Sequence, residues 1–598
     1  MEIRNIAIIA HVDHGKTTLV DAMLKAGGAF DSHENVGTCV MDTDDQEKER
    51  GITIYAKNAA INYKGTKINI VDTPGHADFG SEVERVLRTV DATVLLVDAY
   101  EGPMPQTKFV LSKSLELGLP VLVVINKIDK PAARPDAVVD LTFDLFSKLG
   151  ATDEQMDFPY IYTIAREGIA INNLDDEKKD IIPLLDFILK NVKPAKMDTE
   201  KDFRMQPATL AYDNFLGRMA VGRVYEGKVK AGQSVTILNS AGEKRNAKLS
   251  KVYTFHGMKK VEVKEVTAGD IVAIAGISDI YVGETITNNP SVEPLPAIRV
   301  DPPALAMDFM VNTSPFAGRE GKQLTSRNIR ERLLKELETN VGLKVEMTGN
   351  TDTFKVYGRG EMHLSVLIEN MRREGFELQV SQPQVVLQEI DGVSCEPIEN
   401  VVVNVPPEMS GKIIEVLSVR KGKMQNMSNE NGNTIMEFEI PTRGLLGFRS
   451  SFVVLTKGEG TLYHSFSHFA PHCGKIEKRI VGSMICGTSG ITTAFSLWNL
   501  QERGPIFIHP VTEVYEGMII GEHNQGTDLV VNPVKPKKLS NVRSSGADEA
   551  INLTPPIQVE LEKALEYIQD DEYVEVTPTS IRLRKKHLSD IDRRRQKR

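Results

Sequence analysis

The sequence predicts a multidomain protein of α/β and β architecture. A parallel α/β domain would be followed by a β-barrel, two ferredoxin-like α+β domains and a β-rich C-terminal domain. A chain of 598 residues is long enough for about four domains of roughly 150 residues each. In the first third of the chain, short apolar runs alternate with helix-length segments, at residues 6–10, 68–71, 92–97 and 121–125. Further along, helical periodicity gives way to short strands separated by glycine turns.

The composition is that of an ordinary globular protein, with 41% apolar and 26% charged residues. The 72 Lys and Arg against 82 Asp and Glu give a net charge of −10, so nucleic-acid binding would need local basic patches. The 4 scattered cysteines are too few for a disulfide framework and indicate a reducing cytosol. The apolar runs are shorter than a membrane span or a signal peptide requires. We therefore expect a cytoplasmic protein without a membrane partner.

Residues 1–195 form the first predicted domain, because near-continuous apolar strands separated by helices are typical of a parallel sheet covered on both faces. Residues 191–203 lose all periodicity and are predicted to be a linker. The stretch 204–295 shows short strands and glycine turns without helical patterns, which indicates a small β-barrel. The prolines of residues 293–303 mark a stiff boundary after it.

Residues 302–385 are predicted to be ferredoxin-like, since strands and helices follow in the order β-α-β-β-α-β. A similar order begins again at Pro397 and predicts a second ferredoxin-like domain over residues 395–479. Residues 480–598 are β-rich, with an acidic helix at 558–570 and a basic tail, and follow no common fold pattern. The elements of the first ferredoxin-like domain are predicted as strands at 305–311, 343–348, 354–357 and 376–380 and helices at 325–339 and 361–374.

A phosphate-binding loop is predicted where the run 6–10 leads into AHVDHGKT and then into a helical segment. Such a loop presents backbone N–H groups to phosphate, its lysine reaches the outer phosphates, and the following hydroxyl ligates Mg²⁺. Lys16 and Thr17 hold these two positions, and Ala10 stands where the general motif has glycine. The loop residues assigned to the nucleotide phosphates are Asp13, His14, Gly15, Lys16, Thr17 and Thr18.

Two further segments carry chemistry expected beside this loop. Asp72 in VDTPGH follows the run 68–71, where it can hold Mg²⁺ through water, and the Gly75 amide can meet the γ-phosphate. Thr53 in ERGITI is the candidate second hydroxyl ligand of Mg²⁺. The polar, nonperiodic residues 30–50 before it are predicted to be a mobile switch loop.

The segment NKID follows the run 121–125 at the carboxyl end of a strand, where ligands bind in doubly wound sheets. An aspartate can accept two hydrogen bonds from guanine N1–H and its exocyclic amine, whereas adenine has no such donor pair. Asp129 therefore favours GTP over ATP. Four motifs in this order, each near a strand end, together predict a GTP-binding domain. The residues assigned to the base are Asn126, Lys127, Ile128 and Asp129.

The motifs HVDHGKTT, RGITI, DTPGH and NKID together resemble those of translation-factor GTPases. The resemblance implies hydrolysis of GTP to GDP on the ribosome with Mg²⁺, and a catalytic His76 that places the attacking water. It also implies that Val12 and Ile52 form an apolar gate that keeps His76 away from the water. A fifth motif, normally Ser-Ala, aligns with Ile164 and Ala165, so the Ala165 N–H would support guanine without the serine hydroxyl.

Later segments distinguish among these GTPases. Residues 381–396 leave no room for the large inserted domain that elongation factor G carries between its ferredoxin-like domains. The BipA family, also called TypA, is similar over the whole chain after the GTPase domain, which implies a ribosome-associated GTPase for large (50S) subunit assembly and adaptation to cold or stress. The segments that carry this resemblance are residues 211–227, 312–322, 442–450, 539–550 and 574–588.

Basic residues cluster near the C-terminus of this acidic chain. The loop 534–546 contains Lys535, Lys537, Lys538 and Arg543 without apolar periodicity, and the resemblance favours contact with ribosomal RNA or an A-site transfer RNA over a solvated surface. The tail 581–598 has nine Lys and Arg against two Asp, and could also meet phosphate.

A histidine-rich segment offers a different interpretation that we set aside. His464, His468, His472 and Cys473 would share one helical face with spacing that suits zinc. Pro471 would break that helix, so we expect a solvated strand or loop rather than a metal site.

Two alternatives to a BipA-type GTPase acting as a monomer on the large ribosomal subunit stay open. The first is another translational GTPase, either LepA-like or a ribosome-protection factor. The second is a structural assembly factor that binds GTP but does not need its turnover.

Overall fold

The computed structural model describes the chain except residues 12, 29–44, 51–52, 75–79, 299–301, 431, 477–480, 537–551 and 597–598. The described backbone divides into two compact units. The first comprises Met1–Asp301 with Glu336–Gly342, and the second comprises Pro302–Lys335 with Leu343–Arg598. In the described parts of the chain, no helix has both the length and the apolar character needed to cross a membrane.

The first unit begins with an α/β domain. Its elements are β1 (Glu2–Ala10), α1 (Lys16–Ala26), α2 (Asp45–Arg50), β2 (Lys57–Tyr63), β3 (Thr66–Asp72), α3 (Gly80–Leu87), β4 (Ala92–Asp98), α4 (Pro105–Glu116), β5 (Val121–Asn126), α5 (Pro135–Lys148), α6 (Asp153–Met156), β6 (Tyr160–Ile164), β7 (Ile169–Ile171) and α7 (Ile182–Asn191). The strands form one sheet in the order β2-β3-β1-β4-β5-β6-β7. The central five are parallel, and the edge strands β2 and β7 are antiparallel.

The sheet is covered on both faces, as the apolar runs predict. Val94 and Leu95 are neighbours on β4, both are buried, and they belong to cores on opposite faces. Strands buried on both sides need apolar residues at every position, which explains why the runs lack alternation. Because the central strands are parallel, the carboxyl ends of β1, β3, β4 and β5 meet at one edge of the sheet.

The segment predicted to be a mobile loop is partly helical. Residues 30–44 lie outside the described structure, but Asp45–Arg50 form α2. The interpretation of the last six residues was therefore wrong. Glu47, although charged, is fully buried and contacts the chain that follows, so a tertiary contact stabilises a helix that apolar periodicity does not reveal.

A β-barrel-like domain completes most of the first unit and confirms the predicted change to short strands. Its strands are β8 (Arg204–Asp213), β9 (Gly217–Glu226), β10 (Lys228–Lys230), β11 (Ser234–Leu238), β12 (Lys244–Lys248), β13 (Lys251–His256), β14 (Lys259–Val263), β15 (Glu265–Thr267), β16 (Ile271–Ala275) and β17 (Thr285–Thr287). Eight of them form a sheet in the order β12-β11-β17-β8-β9-β16-β13-β14, and β10 pairs with β15. Gly222 on β9 allows close strand approach, because a Cβ there would lie 2.0 Å from the Gln206 carbonyl oxygen.

Buried ion pairs hold this barrel against the first sheet. The Lys67 ammonium on β3 lies 2.6 and 2.8 Å from the two carboxylate oxygens of Asp270. The Arg223 guanidinium on β9 lies 2.6 Å from the Asp91 carboxylate, just before β4. Both basic groups are almost fully buried and paired, so separating the two domains would leave costly unpaired charges.

The second unit begins with the predicted ferredoxin-like order. Its elements are β18 (Leu305–Val311), α8 (Ser326–Glu336), β19 (Lys344–Met347), β20 (Thr353–Gly358), α9 (Glu361–Arg373), β21 (Leu378–Val380) and β22 (Gln384–Val385). The second repeat of this order also forms, as β23 (Gln388–Ile390), β24 (Val393–Val405), α10 (Pro407–Val419), β25 (Lys423–Glu430), β26 (Asn433–Pro441), α11 (Thr442–Leu445), α12 (Arg449–Leu455) and β27 (Thr461–Pro471). In its sheet β24 pairs with β23, β26 and β27, and β25 pairs with β26.

The C-terminal part is β-rich, and its sheet continues that of the first ferredoxin-like domain. Its elements are β28 (Gly482–Cys486), β29 (Gly490–Ile491), α13 (Ala494–Leu500), β30 (Glu513–Val514), β31 (Met518–His523), β32 (Leu529–Val531), α14 (Leu561–Tyr567), β33 (Glu572–Val576), β34 (Ile581–Lys585) and α15 (Asp590–Gln596). Strand β33 pairs with β21 in antiparallel register, with Gln379 opposite Glu575. The joint sheet runs β19-β20-β18-β21-β33-β34-β31-β28-β32, a fusion that local patterns did not predict.

Candidate nucleotide-binding site

The predicted phosphate loop lies between β1 and α1, at the carboxyl edge of the first sheet. Gly15 is the N-cap of α1 and has a φ of 95°, a left-handed conformation that suits glycine. A Cβ at this position would also lie 2.5 Å from Asn126 Nδ2, so a larger residue would collide. Thr17 and Thr18 lie in the first turn of α1. The loop thus meets the N-terminus of an 11-residue helix, whose free N–H groups and dipole suit a phosphate anion.

Lys16, Thr53 and Asp72 lie together beside this loop. The Lys16 ammonium is 2.7 Å from Asp72 Oδ1 and donates to the Thr73 carbonyl oxygen. The Thr53 hydroxyl is 3.5 Å from Asp72 Oδ2, and the Asp72 side chain is fully buried. Three segments distant in sequence therefore bring an ammonium, a hydroxyl and a carboxylate to one place. This set fits Mg²⁺ bound to phosphate, which prefers carboxylate, hydroxyl and phosphate oxygens.

Asn126 at the end of β5 connects the motif predicted to recognise the base with the predicted phosphate loop. Its amide nitrogen donates to the His14 carbonyl oxygen at 2.8 Å, and its amide oxygen accepts from the Ala165 N–H at 3.0 Å. The same oxygen accepts from the Thr163 hydroxyl at 3.1 Å. Asn126 thus holds three segments together. The Ala165 N–H, which the resemblance assigned to guanine, donates to Asn126 in this structure.

Lys127 and Asp129 occupy different environments. Lys127 has a φ of 62°, and its ammonium donates to the Asp13 carbonyl oxygen and lies 2.9 Å from Asp98 Oδ2. Between them in sequence, Ile128 packs partly buried against the apolar core. The Asp129 carboxylate is partly exposed and lies 3.4 Å from the Arg166 guanidinium. An acceptor that reaches solvent in this way is accessible to a base.

Asp98 also contributes to the candidate site, as a partner of Lys127, although the motifs did not predict it. It ends β4 and is buried, and burial alone would raise the pKa of its carboxyl. Hydrogen bonds from Lys127, the Tyr100 N–H and Lys130 outweigh burial and lower this pKa to about 2. Its position after the run 92–97 is the same strand-end signal that identified Asp72, and could have identified Asp98.

His14 acts as a buried support for the loop. Its Nδ1 lies 3.3 Å from both the Leu96 carbonyl oxygen and the Asp98 amide nitrogen. Its Nε2 lies 3.3 Å from the Glu101 carboxylate, and this close contact with the His14 ring lowers the pKa of the Glu101 carboxyl. The ring, with no solvent exposure, therefore joins the phosphate loop to the end of β4.

Four residues predicted for the nucleotide site lie outside the described structure. The catalytic His76 and the phosphate contact Gly75 lie outside the described residues. The predicted gate residues Val12 and Ile52 also lie outside them. The described part of the site brings together the assigned phosphate, Mg²⁺ and base residues at one edge of the sheet, the arrangement that a guanine nucleotide needs.

Four family models match successive parts of the chain. They are the elongation factor Tu GTP binding domain at residues 1–194, the elongation factor Tu domain 2 at 217–287, the elongation factor G C-terminus at 393–480 and the TypA/BipA C-terminal domain at 481–590. A protein of Escherichia coli strain K12 named large ribosomal subunit assembly factor BipA is 52% identical over 599 residues, covering 100% of this chain and 99% of that protein. A relative of the same name from Synechocystis is 53% identical over 586 residues, or 98% of each chain.

The chain belongs to the BipA (TypA) family. Its match to the elongation factor Tu GTP binding domain confirms the predicted GTP-binding domain. A crystal structure of a protein from Thermus thermophilus aligns with a TM-score of 0.55 and 19% identity, covering 79% of this chain and 97% of that one. This alignment supports the multidomain fold.

Two of the segments that carry the BipA resemblance meet in the second unit. Glu320, in the segment 312–322, accepts hydrogen bonds from Thr577 and Thr579 and pairs with Arg582. Burial alone would raise the pKa of Glu320, but these bonds lower it to about 2. The shared sequence therefore includes a contact between the first ferredoxin-like domain and the C-terminal part.

The predicted RNA-binding loop is largely outside the described residues. Lys537, Lys538 and Arg543 belong to the omitted range 537–551. Lys535 is exposed, and its carbonyl oxygen accepts hydrogen bonds from the Thr493 and Ser496 hydroxyls at the start of α13. The start of the loop is therefore anchored while its charged side chain faces solvent.

The histidine-rich segment forms a strand. His464 lies on β27, paired with β24, and its ring contacts the Glu399 carboxylate. Cys473 follows the strand and contacts the Arg443 guanidinium at 3.3 Å. Within the ranges that the structure describes, no group of three or more His, Cys, Asp or Glu side chains could hold a metal ion.

Proposed function

We propose that this protein is a GTPase switch that acts on the ribosome and assists assembly of the large (50S) subunit. The observation that carries the proposal is the identity of 52% over the whole chain with proteins named large ribosomal subunit assembly factor. The site geometry supports the GTP-dependent part, because phosphate, Mg²⁺ and base residues converge at one sheet edge.

Each assigned residue has a role in nucleotide binding. The loop Asp13, His14, Gly15, Lys16, Thr17 and Thr18 surrounds the phosphates, and Asn126, Lys127, Ile128, Asp129 and Ala165 form the base site. Thr17 and Thr53 would hold Mg²⁺ directly and Asp72 through water. When bound, the ion neutralises charge on the β- and γ-phosphates.

For hydrolysis, His76 orients the attacking water. Val12 and Ile52 keep the His76 side chain away from that water until the ribosome repositions His76. Orientation of a water in this way lowers the barrier because the nucleophile is already placed. Loss of the γ-phosphate would free Thr53 and Gly75 and so loosen ribosome binding.

The proposed partners follow from charge and family. The RNA-contacting residues, which bind ribosomal RNA or an A-site transfer RNA, are Lys535, Lys537, Lys538 and Arg543. The protein acts as a monomer in the cytoplasm and has a role in adaptation to cold or stress. A net charge of −10 makes a local basic loop the natural point of contact with RNA.

Hydrolysis and client binding test the proposal together. Purified protein is assayed for GTP turnover alone, with assembled ribosomes and with large-subunit precursors, with ATP as the competing nucleotide. We expect stimulated turnover of GTP only, and nucleotide-dependent binding to large-subunit particles. Binding only to assembled ribosomes would instead support a LepA-like or ribosome-protection factor. Full rescue of a null strain by a variant without turnover would support a structural assembly factor.

A further inference from the structure

Two glutamates accept hydrogen bonds from three consecutive backbone N–H groups directly after Thr53. Glu47 Oε1 lies 2.9 Å from the Ile54 nitrogen and 3.3 Å from the Tyr55 nitrogen. Glu82 Oε1 lies 3.1 Å from the Ala56 nitrogen. These amides precede β2, which begins only at residue 57. The carboxylates therefore supply the hydrogen-bond acceptors that a neighbouring strand would supply within a sheet.

The Glu47 carboxylate is buried and paired, so its position is well fixed. Its side chain has 0% exposure, and its second oxygen forms an ion pair with Lys57, the first residue of β2. A buried carboxylate that is both paired and hydrogen-bonded has little freedom to move, since leaving these partners would expose an uncompensated charge. Residues 54 and 55 are thereby held by the same carboxylate that pairs with the first residue of β2.

This segment carries Thr53 to the candidate Mg²⁺ site. Thr53 immediately precedes the three held amides, and its hydroxyl is 3.5 Å from Asp72 Oδ2. Lys57 lies opposite Asp72 in the β2–β3 register. Holding residues 54–56, which directly precede Lys57, therefore limits the distance between Thr53 and Asp72. A hydroxyl held close to its ligand position loses less entropy when it binds an ion.

The two glutamates lie on two different helices that flank the Thr53 segment and the DTPGH motif. Glu47 lies on α2, on the N-terminal side of Thr53. Glu82 lies in the first turn of α3, the helix that follows the DTPGH motif. The Glu82 contact with Ala56 is therefore a direct link between the Thr53 segment and the helix after that motif.

We propose that Glu47 and Glu82 are positioning residues that form a two-carboxylate clasp on residues 54–56. Glu47 holds Thr53 at the Mg²⁺ site, and Glu82 couples that segment to α3. The clasp rests on the proposed GTPase function. It acts on the GTP-bound state, because only that state needs Thr53, whereas GDP affinity depends on the phosphate loop and the base motif.

The test measures Mg²⁺ dependence and not activity alone. Glu47→Ala and Glu82→Ala should each raise the Mg²⁺ concentration needed for half-maximal binding of a nonhydrolysable GTP analogue by about 10- to 100-fold, the usual effect of losing a group that orients a metal ligand. GDP affinity should change by less than about twofold. Glu82→Gln should keep the Mg²⁺ requirement close to that of the unaltered protein, since the amide oxygen still accepts from the Ala56 N–H. Hydrogen exchange at residues 54–56 should accelerate in the alanine variants.

Matched controls and a double variant separate positioning from general damage. Glu49→Ala on α2 and Glu84→Ala on α3 remove glutamates outside the clasp, and should leave the Mg²⁺ dependence unchanged. In a Thr53→Ala background, Glu47→Ala should add less than about twofold, because its effect passes through Thr53. If Glu47→Ala does not fold, Glu47→Gln carries the test with an expected rise of at least about threefold.

The outcomes are distinguishable. If the unaltered protein shows no Mg²⁺-dependent binding of the analogue, the proposed function fails. If the unaltered protein does bind and the glutamate variants match it, or if Glu47→Ala and Thr53→Ala add independently, the clasp is overturned while the GTPase assignment stands.

Discussion

At the scale of single residues, the NKID motif divides its work among side chains with different surroundings. Asn126 is buried and fully committed to holding His14 and Ala165. Lys127 is committed to Asp98 and the Asp13 carbonyl. Asp129 keeps a partly exposed acceptor, and we therefore expect it to be the group that selects the base.

Base selection can be reversed at Asp129. Replacing Asp129 by Asn puts a donor opposite the exocyclic 2-amino group of guanine, so GTP binding should weaken by about 1.5–3 kcal/mol per charged hydrogen bond lost. Xanthosine triphosphate, which has a carbonyl oxygen in place of that amino group, should bind better than GTP. Titration with both nucleotides measures this, and Arg166→Ala, which removes only an exposed neighbour, is the control. Unchanged GTP affinity in Asp129→Asn would remove the guanine-site assignment.

Catalysis is expected to depend on His76. His76→Ala should leave GTP affinity within about twofold and lower ribosome-stimulated turnover at least 10²-fold, the scale of a lost positioning or proton-transfer group. The ring is assigned to water and not to phosphate, which is why binding should survive. Single-turnover kinetics with and without ribosomes measures both quantities. Equal stimulated rates in the two proteins would assign water placement to another group.

At the scale of elements, the second ferredoxin-like domain shows how similar glycines can have opposite effects. Gly411 lies within α10 and a Cβ there would meet no atom within 4 Å. Gly444 lies in α11, and a Cβ there would come within 2.5 Å of the Arg420 carbonyl oxygen. That carbonyl is backbone and cannot move aside cheaply.

The two glycine substitutions should therefore differ in sign. Gly411→Ala should stabilise the domain by about 0.5–1 kcal/mol, because alanine restricts the unfolded chain and favours the helix. Gly444→Ala should destabilise it by about 1–3 kcal/mol, the cost of forcing extra volume into packed structure. Thermal unfolding of the two variants measures the difference. A shift in the same direction for both would contradict the steric argument.

The site was predictable where a motif is local. Asp72 and Asn126 end β3 and β5, and Lys16 begins the helix that follows β1, so their convergence follows from a parallel sheet. Glu47 was missed because its importance arises from amides that only folding brings to it. The pairing of β33 with β21 was missed for the same reason, since hydrophobic alternation does not name a strand's partner.

At the scale of the whole molecule, the joint sheet of the second unit is locked by a buried polar cluster. The Glu575 carboxylate on β33 is fully buried and accepts from the Asn312 amide at 3.0 Å and the Ser314 hydroxyl at 2.8 Å. Its second oxygen accepts from the Tyr515 hydroxyl at 2.7 Å, and Arg582 lies 3.2 Å from the first. Burial and this carboxylate raise the pKa of Tyr515 well above its ordinary value.

Loss of that charge should loosen the junction. Glu575→Gln is expected to cost about 1.5–3 kcal/mol, since the donors around Glu575 lose an anionic acceptor. Hydrogen exchange should accelerate at β21 and β33 and stay unchanged in β4 of the other unit. Glu513→Gln removes an exposed partner of Arg319 and should change stability by less than about 0.5 kcal/mol. Equal protection in both variants would mean that strand pairing alone holds the junction.

The basic loop 534–546 is expected to bind RNA against the net negative charge of the whole protein. Changing Lys535, Lys537, Lys538 and Arg543 to Ala should lower ribosome affinity and reduce the slope of log K against log salt by about 0.7 per phosphate contact, up to roughly 3. GTP affinity and folding should not change, since the loop has no apolar periodicity and is expected to contribute little packing. A slope equal to that of the unaltered protein would return the loop to ordinary solvated surface.

The pairing of β21 with β33 has a consequence for synthesis of the protein. Val380 pairs with Val574, so 574 − 380 = 194 residues must be added after β21 leaves the peptidyl-transferase centre before its partner is made. At roughly 5–20 residues per second, this takes about 10–40 s. During that interval the nascent chain carries an open strand edge with the apolar residues Leu378 and Val380, a template for pairing with other chains. Slow elongation in the cold would lengthen the interval, and nascent-chain aggregation should then increase unless a chaperone covers β21.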